Sequence, residues 1–317
     1  MSKRILITGA SGCIGHYIAE ILIQQTDYEL YFLVRNPDKL GFDYQARPGI
    51  FLLKADLREI DQFSELLPTI NIAILAATSW GGIQEVFAVN VDASLHLIQQ
   101  LNPQVCEQIL YFSTASVLGR DNQLLPEAGT IGTDYIRSKY ECLQQLLKLE
   151  KTLPPLRILF PTFVLGGEVN KPYSHLSSGL PDVLKWLDLI RWLKADASFH
   201  FIHAEDIAKV VLSLVNHPPN SSHAEQVVLG NEAITLNQVV EEVCQFYHKK
   251  IYFRFNLSQG LANILIKLFR IQMADWDRFC LDYRHFTYQN PAHPSIFNIQ
   301  PSYPSLTDIL KEPRHDR

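Results

Sequence analysis

No run in the 317 residues approaches the ~18 uninterrupted apolar positions that a membrane-spanning helix needs. Like charges never form a block: 28 Lys and Arg stand against 33 Asp and Glu, for a net charge of −5. A protein that binds nucleic acid through phosphate contacts is basic on balance or carries a basic stretch, so nucleic acid is not an expected partner. Cysteine is scarce as well. Cys13, Cys106, Cys142, Cys244 and Cys280 are odd in number and far apart, with no C-x-x-C among them. That excludes a disulfide scaffold and reads as reduced, mostly buried thiols in a cytoplasmic protein. With 15 Gly, 17 Pro, no repeat and no low-complexity linker, fibrous and disordered classes are excluded too. Lys3-Arg4 before Ile5-Leu6-Ile7 imitates a secretory signal, but the apolar stretch breaks at Thr8-Gly9, short of a signal core, so no cleaved leader is expected.

What remains is a chain 47% apolar and 19% charged, long enough for one large or two small domains. Residues 4–8, 30–34, 50–54, 72–76, 109–113 and 157–160 are β-branched runs of about strand length. Several are apolar almost throughout, as strands covered on both faces must be. Helical patterns over 14–25, 84–101 and 135–151 fill the gaps. Alternating strands and helices predict an α/β fold, a doubly wound parallel sheet of the Rossmann kind. After Gly166-Gly167 the texture becomes loop-like and aromatic, with Trp186 and Trp192 in a helical pattern. A strand over 199–203, a helix over 205–215 and a strand over 226–229 follow, then mostly helix and a Pro-containing tail. The expected division is 1–166 as the dinucleotide-binding domain with 199–232 returning to it. Residues 167–198 and 233–317 would form a smaller, mostly helical substrate region. Residues 261–271 carry an apolar face interrupted by Lys267 and Arg270, expected to pack on the core rather than lie on a membrane surface.

The first strand runs directly into Gly9-Ala10-Ser11-Gly12-Cys13-Ile14-Gly15. In such a loop the first glycine permits a tight turn, the second lets backbone approach a pyrophosphate, and the third lets the helix pack closely on the strand. Free N–H groups opening the next helix then meet the phosphates. A glycine pattern alone is weak, but its position between a strand and a helix supports dinucleotide binding.

The spacing G-x-x-G-x-x-G resembles the extended branch of the short-chain dehydrogenase/reductase superfamily, which includes NAD-dependent epimerase/dehydratases and dihydroflavonol-type reductases. The resemblance covers residues 4–235 and implies cofactor contacts from Gly9, Ser11, Gly12, Cys13, Ile14 and Gly15. At the end of the second strand, where an acidic residue would read the ribose of NAD, stands Leu33-Val34-Arg35-Asn36-Pro37. This is similar to the V-R-D/N-P segment of NADP-dependent reductases, so NADP(H) is expected through Arg35, with NAD(H) as the alternative. Asp56-Leu57 resembles the family's adenine-contacting pair. Ala76-Ala77, ending the fourth strand, is expected along the cofactor, as is Pro161 after the sixth. Asn90-Val91 resembles the family's Asn-Val before a long helix, or simply ties down a helix end.

Tyr135-Ile136-Arg137-Ser138-Lys139 is a Y-x-x-x-K, a pattern that chance alone supplies roughly 0.6 times in a chain of this composition. Its place on a helix some twenty residues after the fifth strand carries the weight, since i and i+4 share a face. A tyrosine titrating near ~10 is a poor base at neutral pH, and a nearby ammonium lowers that value. The resemblance makes Tyr135 the acid/base, with Lys139 lowering its pKa and holding the nicotinamide ribose. Phe112-Ser113-Thr114-Ala115-Ser116-Val117-Leu118-Gly119 is similar to S-S/T-x-x-V-Y-G, which selects Thr114 as the catalytic hydroxyl, with Leu118 replacing the usual Tyr. Residues 201–208 resemble F-x-H-V-x-D-x-A. His203 and Asp206 there have no third ligand at metal spacing and read as structural, Asp206 as a helix cap, so no metal is expected.

The resulting expectation is an NAD(P)-dependent oxidoreductase exchanging hydride with a secondary alcohol or carbonyl of a small molecule. A nucleotide-sugar epimerase or dehydratase with retained NAD is the alternative; Arg35 speaks against it, as does Phe160 where many such enzymes have Arg. Lys171, Lys185, Arg191 and Lys194 could still supply cations for a pyrophosphate substrate. A non-catalytic dinucleotide sensor is a further alternative, disfavoured by the intact Tyr135/Lys139 pair. Substrate determinants are expected at Trp80, 163–167, Tyr173 and 176–200, an aromatic and apolar set. Helix-mediated homodimers are frequent in the family and would be allowed here.

Overall fold

Six apolar runs become the first six strands: β1 (Arg4–Thr8), β2 (Glu29–Val34), β3 (Ile50–Lys54), β4 (Ile72–Leu75), β5 (Gln108–Phe112) and β6 (Leu156–Pro161). The computed structural model describes residues 2–219, 223–268 and 272–311, without the side chains of Ala262 and Leu265. With the strand Glu225–Leu229 they form one parallel sheet, ordered Glu225–Leu229, β6, β5, β4, β1, β2, β3. The central strands are buried along their whole length, whereas the edge strand β3 keeps partial exposure throughout, as an uncovered edge does.

Alternation within the strands feeds two cores. Leu6, Ala73, Ile109 and Ile158 face one layer with the helix Asp134–Leu149; Ile5, Ile7, Ile74 and Leu110 face the other with the helices Cys13–Gln25 and Ala204–Asn216. A third, smaller core gathers Leu165, Phe201, Val240, Val243 and Ile309 away from the sheet. Strand order reverses at β1, whose neighbours are β2 and β4, so the loops leaving β1 and β4 diverge and open a crevice at the carboxyl ends of the strands.

Four local expectations change. The run 199–203 is not one strand: it breaks at His200, whose imidazole bonds the Asn231 carbonyl at 2.7 Å and takes the Tyr288 N–H at 3.0 Å. Only Phe201–His203 continues, pairing in parallel with β7 (Phe163–Leu165) outside the main sheet. His203, not Asp206, caps the following helix, its Nδ1 accepting from Glu205 N. The buried Asp206 carboxylate instead takes the N–H groups of Ser302 (2.7 Å) and Tyr303 (3.0 Å), pinning the C-terminal segment to that helix. Trp192 lies beyond the helix Leu187–Ile190, in a turn. Within the 261–271 pattern the helix Gln259–Leu268 presents Leu261, Ile264 and Leu268 to solvent rather than to a core. Ile266 is half-buried, and the other apolar positions of that pattern, Ala262, Leu265, Phe269 and Ile271, lie outside the described side chains, as does Arg270.

Candidate active site

The phosphate loop is built as its glycines require. Gly9 holds φ +78°, and a Cβ there would stand 2.5 Å from the Ala76–Ala77 backbone. A Cβ at Gly15 would meet the Gly9 carbonyl at 2.1 Å, so the helix Cys13–Gln25 rests directly on the turn. Gly12 differs: its Cβ would touch only the Gly9 carbonyl, at 3.4 Å, and would otherwise protrude into the crevice. Gly12 is also the N-cap and offers no side-chain acceptor, so the leading N–H groups of the helix lie open beside the cavity. Such a cradle fits a dinucleotide pyrophosphate.

Two adjoining cavities follow the crevice. The smaller, about 170 Å³, is lined by Ser11, Arg35, Asp56, Leu57 and Ala77 among others. The larger, about 620 Å³, is lined by Cys13, Ile14, Gly15, Thr114, Tyr135, Lys139 and Pro161; Gly9, Gly12 and Ala76 border both. Every site residue proposed from the sequence therefore borders one continuous groove. Arg35 is 67% exposed at the mouth of the smaller cavity, 3.7 Å from the Asp56 carboxylate. Asp56 is held by Arg58 at 2.8 and 3.0 Å and by the Arg58 N–H, and these bonds, with Arg35, bring its pKa down to about 2.

Thr133 caps the helix Asp134–Leu149 through its hydroxyl, so Tyr135 and Lys139 enter on one face in the first and second turns. The Tyr135 phenol is hydrogen-bonded to the Thr114 side chain. Lys139 is buried, donates to the Phe112 carbonyl at 2.8 Å and sits 5.0 Å from the Tyr111 ring centre. Burial without an anionic partner lowers its pKa to about 8. The expected depression of Tyr135 by Lys139 is not found. Burial raises the Tyr135 pKa, opposed only by the Thr114 bond, because the ammonium is turned to the Phe112 carbonyl instead. The Trp80 indole covers the phenol face to face, with centroids 3.7 Å apart and planes 17° apart.

Asn90 does more than end a helix. It sits in a π-turn, Ala88–Ala93, inside a continuous helical run over 83–99. Its buried amide accepts from Thr78 and Ser79 and donates to Ser138, whose hydroxyl bonds the Tyr135 carbonyl. The loop carrying Trp80 is thus tied to the helix carrying Tyr135.

The far end of the larger cavity is walled by Trp80, Phe163, Val164, Pro172, Tyr173, His175 and Leu176. Of the expected substrate segments, 165–167 and 177–200 contribute nothing to this lining among the described residues. Sequence reasoning missed Thr133, Pro172 and His175: Thr133 carried a helix-cap signal, whereas Pro172 and His175, in and just after the loop before the helix His175–Lys185, carried none. None of the four cations considered for a pyrophosphate lines the cavity. Lys171 is paired with Glu20 and Glu168, Lys185 with Asp182 and Arg191 with Asp188, while Lys194 is exposed on another face. Among the described lining residues Lys139 is the single cation. The Ser113 hydroxyl, at the same cavity, is buried with no hydrogen-bond partner among the described residues.

Comparison with known proteins decides the family. The model of the NAD dependent epimerase/dehydratase family matches residues 5–230, from β1 to the strand Glu225–Leu229. The chain belongs to this family. Membership makes it a nicotinamide-dependent enzyme of the extended short-chain dehydrogenase/reductase type. No curated protein matches the sequence. Solved structures share the fold at low identity. DesIV, a dTDP-glucose 4,6-dehydratase from Streptomyces venezuelae with NAD and TYD bound, superposes with TM-score 0.65 at 15% identity, covering 97% of this chain and 94% of its own. A UDP-N-acetylglucosamine 4-epimerase from Methanobrevibacter ruminantium, in complex with UDP-N-acetylmuramic acid, gives 0.60 at 17% identity, covering 89% and 96%. A thiolation-reductase di-domain from an archaeal non-ribosomal peptide synthetase gives 0.64 at 18% identity, covering 84% and 64%. Among the described residues no helix is long and apolar enough to cross a membrane.

Proposed function

We propose that this family member is an NADP(H)-dependent reductase of an apolar carbonyl compound, not a nucleotide-sugar enzyme. One observation carries the reading: beyond the cofactor cradle the cavity wall is mostly aromatic and apolar, with Ser174 and His175 its polar members, and the single Lys or Arg among the described lining residues, Lys139, lies on the Tyr135 helix rather than at the far end. A pyrophosphate substrate brings two negative charges, which a mostly apolar wall without Lys or Arg would leave uncompensated. Burial of Tyr135 supports the same direction, since a phenol with a raised pKa stays protonated and is a proton donor to a carbonyl oxygen.

In this reading the bound cofactor supplies hydride exchange at the nicotinamide ring. Tyr135 gives its phenolic proton to the substrate oxygen in reduction and takes it back in oxidation. Thr114, already bonded to that phenol, orients the oxygen between the two hydroxyls. Lys139, lining the same cavity, would hold the nicotinamide ribose of a bound cofactor. Arg35 receives the 2′-phosphate at the mouth of the smaller cavity with paired, charge-assisted bonds. The unpartnered Ser113 hydroxyl supplies a further donor beside Thr114. NAD(H) is the alternative cofactor, as in the DesIV complex.

Two measurements on purified protein test the proposal. Cofactor retained through purification is identified by mass, and turnover is assayed on apolar aldehydes and ketones against UDP- and dTDP-sugars. Exchangeable NADPH with ketone reduction is the expected result. Tightly held NAD with conversion of a nucleotide sugar overturns it in favour of the epimerase/dehydratase reading.

A further inference from the structure

Apart from Trp80, Phe163 and Leu176, which border the larger cavity, many of the exposed apolar side chains fall in the stretches 183–189 and 252–268, none of which lines either cavity. Tyr252, Phe253 and Phe255 are 75%, 57% and 60% exposed within four consecutive residues. Trp192 stacks on Phe253 at 4.9 Å, and Phe253 meets Phe255 edge-on at 5.2 Å. The strand pair Leu193–Lys194 with Phe255–Asn256 joins this aromatic cluster to the segment carrying Trp186 and Leu189, both more than half exposed. Through Leu257, whose N–H bonds the Lys194 carbonyl, the chain passes into the helix Gln259–Leu268, where Ile264 and Leu268 are also open to solvent. Single exposed apolar residues are ordinary; a continuous patch of this kind marks a partner.

Charge identifies the partner. The stretches 182–194 and 241–268 hold seven Lys and Arg against four Asp and Glu, in a chain of net charge −5. Lys185, Lys249 and Arg254 are paired with Asp182, Asp188 and Glu241. Lys194, Lys250 and Lys267 are exposed and make no ion pair among the described residues. Rings that sit at the depth of lipid headgroups, flanked by lysines whose stems run along apolar surface, are what an anionic bilayer receives. A second copy of the chain is a poorer fit, because a twofold contact would bring the unpaired lysines of both copies into one interface.

We propose that this surface docks on an anionic lipid bilayer, lying in its interface without crossing it. An apolar path leads from it to the site: Leu176, which lines the larger cavity, and the exposed Val183 stand seven positions apart on one face of the helix His175–Lys185.

The test is co-sedimentation of the full chain with vesicles of phosphatidylcholine alone or mixed with phosphatidylglycerol. Sedimentation is expected with the mixed vesicles and is reversed by salt. The triple change Tyr252→Ser, Phe253→Ser, Phe255→Ser should weaken it by about tenfold or more, with cofactor affinity unchanged. Lys250→Glu should cost at least about fivefold. If the triple variant does not fold, Lys194→Glu with Lys250→Glu carries the test, since both side chains are exposed. Vesicle binding that ignores phosphatidylglycerol, or that survives the folded variants, overturns the proposal. So does a solution dimer that the triple variant dissolves while vesicles capture neither protein.

Discussion

The two ends of the groove differ in how they are made. At the cofactor end the lining comes from strand ends and helix starts: Gly9 after β1, Arg35 after β2, Asp56 after β3, Ala76 after β4. Parallel pairing fixes those positions relative to one another, so short sequence patterns and spatial neighbours coincide. At the substrate end the wall comes from loops, from the short strand β7 outside the main sheet and from a helix containing Pro181, and its residues share no register with the seven-stranded sheet. Chemistry common to a family can be held by the first kind of construction, and selectivity can vary on the second without disturbing it.

The largest effect that would break this comparison lies at the junction of the two ends. Tyr135→Phe should lower turnover by ~10²–10⁴-fold while leaving the dissociation constant for cofactor nearly unchanged, because the proton is lost and the cradle is not. Single-turnover rates beside a cofactor titration check it; a variant within about threefold of wild type rejects the acid/base assignment.

Next in size is Thr114. Its hydroxyl bonds the phenol and also accepts from Ser116 N, so Thr114→Ala should lose most of the rate and Thr114→Ser should keep much of it. Rates compared at equal folded fraction separate this from mere packing, under which the two variants behave alike.

Arg35→Asp sharpens the contrast from the cofactor end alone. Charge-assisted bonds to a 2′-phosphate contribute ~1.5–3 kcal/mol each, at least about a tenfold preference for NADPH over NADH, which the substitution should reverse. Lys39 is exposed nearby but does not line the smaller cavity, so little of the discrimination should survive. Dissociation constants for both cofactors decide it; wild type binding NADH as tightly as NADPH moves the cofactor to NAD(H).

The smallest effect is a stability difference with pH. Lys139 titrates at about 8 in the fold, below its ordinary value of 10.5, because burial disfavours the ammonium. Between those two values the unfolded chain holds the proton that the folded chain has released, so this residue adds stability as pH rises through the window. The melting temperature of wild type relative to Lys139→Met should be flat below about pH 8 and should climb above it. A difference that falls across that range contradicts the burial of an unpaired ammonium.

Much of the dinucleotide half was legible because its signals are local. The strands β1 and β3 begin and end where the apolar runs do, and the glycine loop sits between a strand and a helix as its spacing demands. His200 shows where that legibility stops. Its β-branched and aromatic neighbours read as one strand, but bonds to Asn231 and Tyr288, 31 and 88 residues away, break it. Asp206 is similar: its place in a first helical turn suggested a cap, and a segment nearly a hundred residues on claimed the carboxylate.

Pattern and composition by themselves determined the parallel sheet, the phosphate loop and the Tyr135/Lys139 pair, because each is a spacing along one element. Tertiary structure alone decided what those groups experience. It set Trp80 on the Tyr135 ring, turned the Lys139 ammonium to the Phe112 carbonyl, and sent Lys171 to Glu20 and Glu168 rather than to the cavity. It also left Tyr252, Phe253 and Phe255 outside every core. Burial and charge pairing arise from contacts between segments distant in the chain, and a spacing along one element carries no record of them.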